Sequence, residues 1–258
     1  MTPRHAPRLL AALAALLLLL AAGCAATTPP PPAFEAPVQR QVPDVPGYQP
    51  PLAVYDPLEG LNRRIYAFNA AADRYVLLPV VDAYTMAVPA PARTAVSNFF
   101  RNIDEPVVML NCLLQGDLRK FFMSFSRFAA NTTLGLGGLI DLAGHEGLRQ
   151  PDEDFGQTLG VWGVPPGPYL ILPLLGPSNL RDAAGYAGSY LLADYEKEAA
   201  LATLDPVARS SVRGTATALN LVDTRYQEPF RYYMTDSPFE YELLRFLYAQ
   251  KRQLDVEK

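Results

Sequence analysis

Apolar residues recur along most of this chain at three- and four-residue spacing, the period of an amphipathic helix. Leu58, Leu61, Ile65 and Phe68 form the first such face. Asp56-Pro57-Leu58-Glu59 reads as its start: Asp56 can cap, Pro57 suits the first helical position, and Glu59 stands where a capping-box acid would. Asp205-Pro206 and Ser237-Pro238 with Glu240 repeat that grammar. Further helices are expected over 92–102, 105–114, 117–131, 178–194, 206–222 and 238–251. In 117–131, Leu118, Phe121, Phe122, Phe125 and Phe128 share one face, opposite Lys120 and Arg127. Strand patterning is confined to Tyr169–Leu172 and, more weakly, 136–140. The expected class is mainly α, a single domain with room for one short hairpin.

The apolar stretch 169–175 interrupts this helical pattern. Only Pro173 breaks it, and Pro165, Pro166, Gly167 and Pro168 on one side and Gly176 and Pro177 on the other fence it. It is too short to cross a bilayer as a helix, which takes about 20 apolar residues. Two readings stay open at this point: a buried strand of a soluble core, or a stiff apolar segment in or beside lipid.

The beginning of the chain bears on that choice. Arg4 and Arg8 precede an apolar run over 9–22, followed by Ala21-Ala22-Gly23-Cys24. This is the layout of a secretory signal peptide over 1–23. A Cys directly after Ala-Gly resembles the lipobox of bacterial lipoproteins, which implies cleavage before Cys24 and acylation of that residue. Ala25, rather than Asp, suggests the outer membrane by the same resemblance. Acyl chains contribute about 0.8 kcal/mol per buried methylene, so several chains hold a protein stably at a membrane. Residues 24–55 are expected to be the acylated Cys and a Pro-rich tether, with few charges and no capacity to bury a core.

Charge and cysteine content narrow the function classes. The net charge of −4 carries no basic footprint of the kind nucleic acid requires. There are 2 cysteines. With Cys24 assigned to lipid, Cys112 stands alone, so neither an internal disulfide nor a Cys-based metal site is expected. In its setting, VVMLNCLL, Cys112 reads as a small buried hydrophobe. The 12 Phe and 14 Tyr cluster in or beside the helical segments, which fits either core packing or an interfacial belt at headgroup level.

Catalytic constellations are poorly represented. Past residue 23 the one histidine is His145, in Gly144-His145-Glu146-Gly147, and the chain has no G-x-S-x-G elbow. Ser124, Ser126 and Ser178 lack a nucleophile's setting. One histidine falls short of the three or so protein ligands of catalytic zinc. Gly135-Leu136-Gly137-Gly138 has neither the Lys of a phosphate loop nor the spacing of a dinucleotide loop. Asp152-Glu153-Asp154 reads as a solvated acidic turn. No enzyme, cofactor or metal is expected.

Ordered motifs then converge on a family. Asp56 to Arg63 (DPLEGLNR) with Tyr66-Ala67-Phe68-Asn69 comes first, followed by Val88-Pro89, Pro91-Ala92-Arg93 and Ser97-Asn98-Phe99. Glu105-Pro106, Asn111, Leu114-Gln115-Gly116, Arg127-Phe128, Asn131-Thr132 and Gly137-Gly138 continue the order. Asp154 to Gly160 (DFGQTLG), Gly167-Pro168-Tyr169 and Leu180-Arg181-Asp182 complete it. Together they resemble the MlaA (VacJ) family of outer-membrane lipoproteins, over roughly residues 54–195. The resemblance implies a ring-like helical domain over 56–251, followed by a tail over 252–258, lying in the periplasmic leaflet of the outer membrane. It implies an amphipathic channel that takes stray phospholipid from the outer leaflet to a periplasmic carrier of the Mla system, and association with a trimeric porin. It also implies channel or lipid contacts at Asn62, Tyr66, Asn69, Asn131, Thr132 and Arg181. A flexible loop at Gly135, Gly137, Gly138 and Gly144 goes with it. The competing expectations are a purely structural porin-associated lipoprotein and a lipid or cell-wall hydrolase.

Overall fold

The computed structural model describes residues 36–41 and 54–257. The expected signal peptide, Cys24 and most of the expected tether lie outside them. Residues 37–258 form one compact unit. Its elements are α1 (Glu59–Ala72), a π-helical turn (Asp73–Leu77), α2 (Leu78–Ala87), α3 (Ala90–Leu114), α4 (Leu118–Thr133), α5 (Leu142–His145), α6 (Phe155–Val161), β1 (Tyr169–Leu172), β2 (Gly176–Asn179), α7 (Leu180–Ala200), α8 (Pro206–Gln227) and α9 (Glu240–Glu257).

The mainly helical class with one hairpin is what the periodicity predicts, but several boundaries differ for identifiable reasons. Asp56 does not cap α1; its carboxylate accepts from Asn62 Nδ2 at 2.8 Å and from the Tyr241 hydroxyl at 2.5 Å. These partners, one of them 185 residues away, occupy the carboxylate in place of a local cap. The two helices expected over 92–102 and 105–114 are one, α3, which carries Pro106 inside it. An interior proline costs a helix about 3 kcal/mol, so packing must offset it; α3 pairs along much of its length with α4. The last helix runs to Glu257, past the end at 251 expected from periodicity, with Arg252 and Asp255 buried. The short helices α5 and α6 lacked enough residues to show a period. Asp141 and Asp154 cap them, accepting from Gly144 N and Gln157 N.

The hairpin pairs β1 and β2 antiparallel, Tyr169 opposite Asn179 and Leu172 opposite Gly176. Residues 136–140 are therefore not its second strand; they form a turn, with Gly137 N bonded to Thr132 O and Ile140 N to Gly135 O. The linker also touches the body: Arg40 N donates to Pro238 O at 2.8 Å, and Tyr55 O accepts from Tyr169 N. Where α6 crosses α7, Gly185 faces Gly156 so closely that a Cβ on Gly185 would stand 2.5 Å from the Gly156 Cα. Only two glycines permit that approach.

The core is mostly polar, and many large apolar side chains lie outside it. Among the described residues, buried polar or charged side chains outnumber buried hydrophobic ones more than twofold. On α4, Ser124, Arg127 and Asn131 are buried, whereas Leu118, Phe122 and Phe125 are exposed. The amphipathic face read from the sequence is real, but it points outward. Water-soluble domains show the opposite partition. No helix of the described residues is long and apolar enough to cross a membrane.

Candidate functional site: an amphipathic cleft at the hairpin turn

The apolar stretch 169–175 becomes β1 and the turn after it. Tyr169 and Ile171 face inward, at 1% and 2% exposure, while Leu174 and Leu175 project from the turn, each more than half exposed. Leu174 adopts φ 64°, a left-handed conformation that a non-glycine residue takes at a cost. Two asparagines of α1 clasp this strand. Asn62 donates to Tyr169 O at 3.0 Å and accepts from Ile171 N at 2.9 Å. Asn69 donates to Leu172 O at 2.9 Å and accepts from Leu174 N at 2.7 Å. Both side chains sit seven residues apart, two helical turns, so one face of α1 presents them in register with the strand.

Below Asn69 the helix widens. Leu78 N reaches back to Asp73 O, the i to i−5 bond of a π turn. Pro79, which has no N–H, cannot supply the regular bond at the next position. Asp73 is buried there and forms a two-pronged ion pair with the Arg225 guanidinium. Arg225 also donates to the carbonyls of Glu228 and Phe230. This ties the π turn to the end of α8.

Between these parts lies a cleft of about 370 Å³. Leu77, Leu174, Leu175, Pro177, Phe230, Leu244 and Leu247 give it apolar walls. Asp73, Arg225, Glu228 and Lys251 place two charges of each sign around it. The volume is in the range of small-ligand pockets. A ligand that is apolar along most of its length and charged at one end fits such walls.

The six contact residues expected from sequence divide among three places. Asn69 lines the cleft, and Asn62 lies one clasp away. Tyr66 is buried between them and its hydroxyl donates to Glu240 at 2.5 Å. Burial, then the Glu240 carboxylate, raise that phenol far above its usual value. Asn131 and Thr132 belong to a different cluster: Asn131 donates to Asp141 and accepts from Ala143 N, and Thr132 accepts from Asn102. Arg181 is buried beside Asp182 at 2.9 Å. Burial pushes the Asp182 carboxyl up, but Arg252 and Arg181 overrule it and bring it to about 2. Asn62, Asn69 and Asn131 thus spend their side-chain atoms on the protein's own backbone and carboxylates.

The glycine-rich turn has tight backbone positions and exposed side chains, Leu134, Leu136, Leu139 and Ile140 among them. A Cβ on Gly138, at φ +93°, would stand 2.5 Å from the Asn102 side chain, and Gly135 and Gly144 likewise have no room for one. Gly137, at φ +71°, faces open space. The charges of the cleft, Arg225, Asp73 and Lys251, escaped the sequence reading because Asp73 and Arg225 are 152 residues apart. No local spacing pairs them. Pro79 was the one local sign of an irregular turn.

The serines considered as nucleophiles are occupied. Ser124 is buried and bonds Glu105, Ser126 donates to Phe122 O, and Ser178 donates to Asn179 O. Among the described residues no group of three or more His, Cys, Asp or Glu is placed to hold a metal ion.

Comparison with known proteins agrees with the motif order. The family described as MlaA lipoprotein matches residues 54–255. The intermembrane phospholipid transport system lipoprotein MlaA of Escherichia coli (strain K12) is 48% identical over 134 residues, 50% of this chain and 53% of that protein. Its Haemophilus influenzae counterpart is 39% identical over 133 residues, 50% of this chain and 53% of that protein. The chain thus spans about half the length of these curated relatives. A solved structure from work on the "Structural basis for maintenance of bacterial outer membrane lipid asymmetry" superposes with a TM-score of 0.59 at 33% identity, covering 79% of this chain and 100% of that one. This chain belongs to the MlaA lipoprotein family.

Proposed function

We propose that this protein withdraws phospholipids from the outer leaflet of the outer membrane and passes them to a periplasmic carrier, acting as a conduit and not as an enzyme. The observation that carries the reading is the inverted partition of side chains: polar groups bonded to one another inside, leucines and aromatics outside. A bilayer offers no hydrogen bonds, so a body lying in it satisfies its polar groups internally. Headgroup and tail each need a compatible wall on the way through, and the hairpin cleft combines both. Asn62 and Asn69 then serve as supports that hold the hairpin and its exposed leucines in place, more than as the lining itself. Acylation at Cys24 and a trimeric porin partner complete the proposal, by the resemblance of the lipobox and of the family.

Surface-exposed phospholipid in a strain lacking the protein tests it. Levels should rise on deletion, return to normal with the wild-type gene, and stay high with Leu247→Glu, which puts a charge on the cleft wall, at equal abundance. Normal surface lipid in the deletion strain would favour the structural porin-partner role instead.

A further inference from the structure

The Pro-rich linker is expected to be a plain spacer between Cys24 and α1, yet its described part belongs to the body. The compact unit begins at Pro37, well ahead of α1. Pro37 and Gln39 are partly buried and Val38 and Arg40 exposed, the alternation of an extended chain lying on a surface. Gln39 keeps both amide atoms out of water without a hydrogen-bond partner. Arg40 N donates to Pro238 O at 2.8 Å. Pro238 stands two residues ahead of α9 and offers a carbonyl but no N–H. The chain leading into α9 is tightly held. Phe239 N bonds Ser237 Oγ, and Glu240 accepts from the Tyr66 hydroxyl, Tyr233 N and Thr235 N. Tyr233 and Asp236 take φ 61° and 51°, left-handed values that cost a non-glycine residue free energy. Within the next three turns Leu244, Leu247, Tyr248 and Lys251 line the hairpin cleft. The linker's other hold, Tyr55 O on Tyr169 N, is on β1, whose turn forms the facing wall.

We propose that residues 37–40 are a strap: they dock on the chain leading into α9 and help to hold the first turn of that helix. With Tyr55 on β1, the linker is then fastened to both elements that wall the cleft. This device is independent of the conduit reading, and it rests on the assignment of Cys24 only for the length of leash left free. Sixteen residues separate Cys24 from Arg40, about 55 Å at full extension, against about 105 Å for the 31 residues to Tyr55. The strap halves the reach of the anchor and brings it to the body beside the cleft wall. The bond is made by the backbone, so the identity of the Arg40 side chain, which is exposed, does not matter to it.

Amide hydrogen exchange of the full-length protein in neutral detergent micelles, resolved to single residues, tests this. The Arg40 amide should exchange at least about tenfold more slowly than the same sequence in an unstructured peptide. Arg40→Pro removes the N–H and suits an extended Gln39. It should speed exchange several-fold over residues 237–243 and leave α4 unchanged. Arg40→Ala keeps the N–H and should leave both regions as they are. Gln39→Leu replaces an orphaned amide with an apolar side chain, so protection at Arg40 should hold or deepen. An Arg40 amide that exchanges at the unstructured rate would overturn the proposal. So would unchanged exchange over 237–243 in Arg40→Pro, or an Arg40→Ala effect as large as that of Arg40→Pro. Protection lost throughout α4 as well would also overturn it, because a strap acts on the segment it holds.

Discussion

Arg127 shows how single residues hold an interior of this kind. It is 2% exposed, pairs with Glu105 at 2.7 Å, and donates to the Leu148 carbonyl. Burial raises the Glu105 carboxyl, and Ser124 and Arg127 pull it back only in part. Such a pair is weak evidence of net stabilisation, but breaking one partner leaves a buried charge alone. Arg127→Met should therefore cost about 3–5 kcal/mol, read as a fall in the thermal midpoint in detergent, and Arg127→Met with Glu105→Leu should recover most of it. A double variant no better than the single one would refute this account. Asp182 carries a pH prediction. Its folded carboxyl, at about 2, lies below the ordinary value of about 3.9. A lowered folded pKa gives stability that is present above the unfolded value and fades as pH falls toward the folded one. The midpoint should thus drop between about pH 4 and pH 2, and Asp182→Asn should start lower and drop less across that window.

At the scale of elements, the hairpin is held less by its own short ladder than by α1. Two-stranded hairpins are marginal alone. Here Asn62 and Asn69 supply four bonds to the strand and turn backbone. Replacing Asn69 with Leu strips partners from Leu172 O and Leu174 N at once, each loss costing about 1–3 kcal/mol where the group stays dry. The expected result is faster proteolysis near Leu174 with helical content retained; unchanged cleavage would mean that the turn stands without its clasp. The same scale explains α4. Its phenylalanine face was legible as a stripe of the right period, yet period alone does not say whether the stripe meets a core or a lipid.

For the whole molecule, the exposed leucines and aromatics should hold the body at a membrane without help. Cys24→Ser removes the acylation site of the lipobox-like sequence. A substantial part of that variant should still sediment with membranes after a high-salt wash, because salt weakens charge contacts and not apolar ones. Complete release into the soluble fraction would mean that the apolar exterior is covered by something other than lipid. Wild-type protein whose N-terminus carries no acyl mass would contradict the assignment of Cys24.

The sequence by itself determined the mainly helical class, the helix at Asp205-Pro206, the strand at Tyr169–Leu172 and, through its ordered motifs, the family. Those features are local: a period, a cap, a run of apolar residues, a fixed order of short motifs. The tertiary structure decided which way each face points, since the same stripe on α4 suits a core or a bilayer until the buried partners of Arg127 and Asn131 are known. It moved Asp56 from a cap to a clasp on Tyr241, joined two expected helices through Pro106, and paired the hairpin with Gly176–Asn179. It also assembled the charges of the cleft from positions 152 residues apart. Contacts of that separation are chosen by packing, and a single chain read in order has no local signal for them.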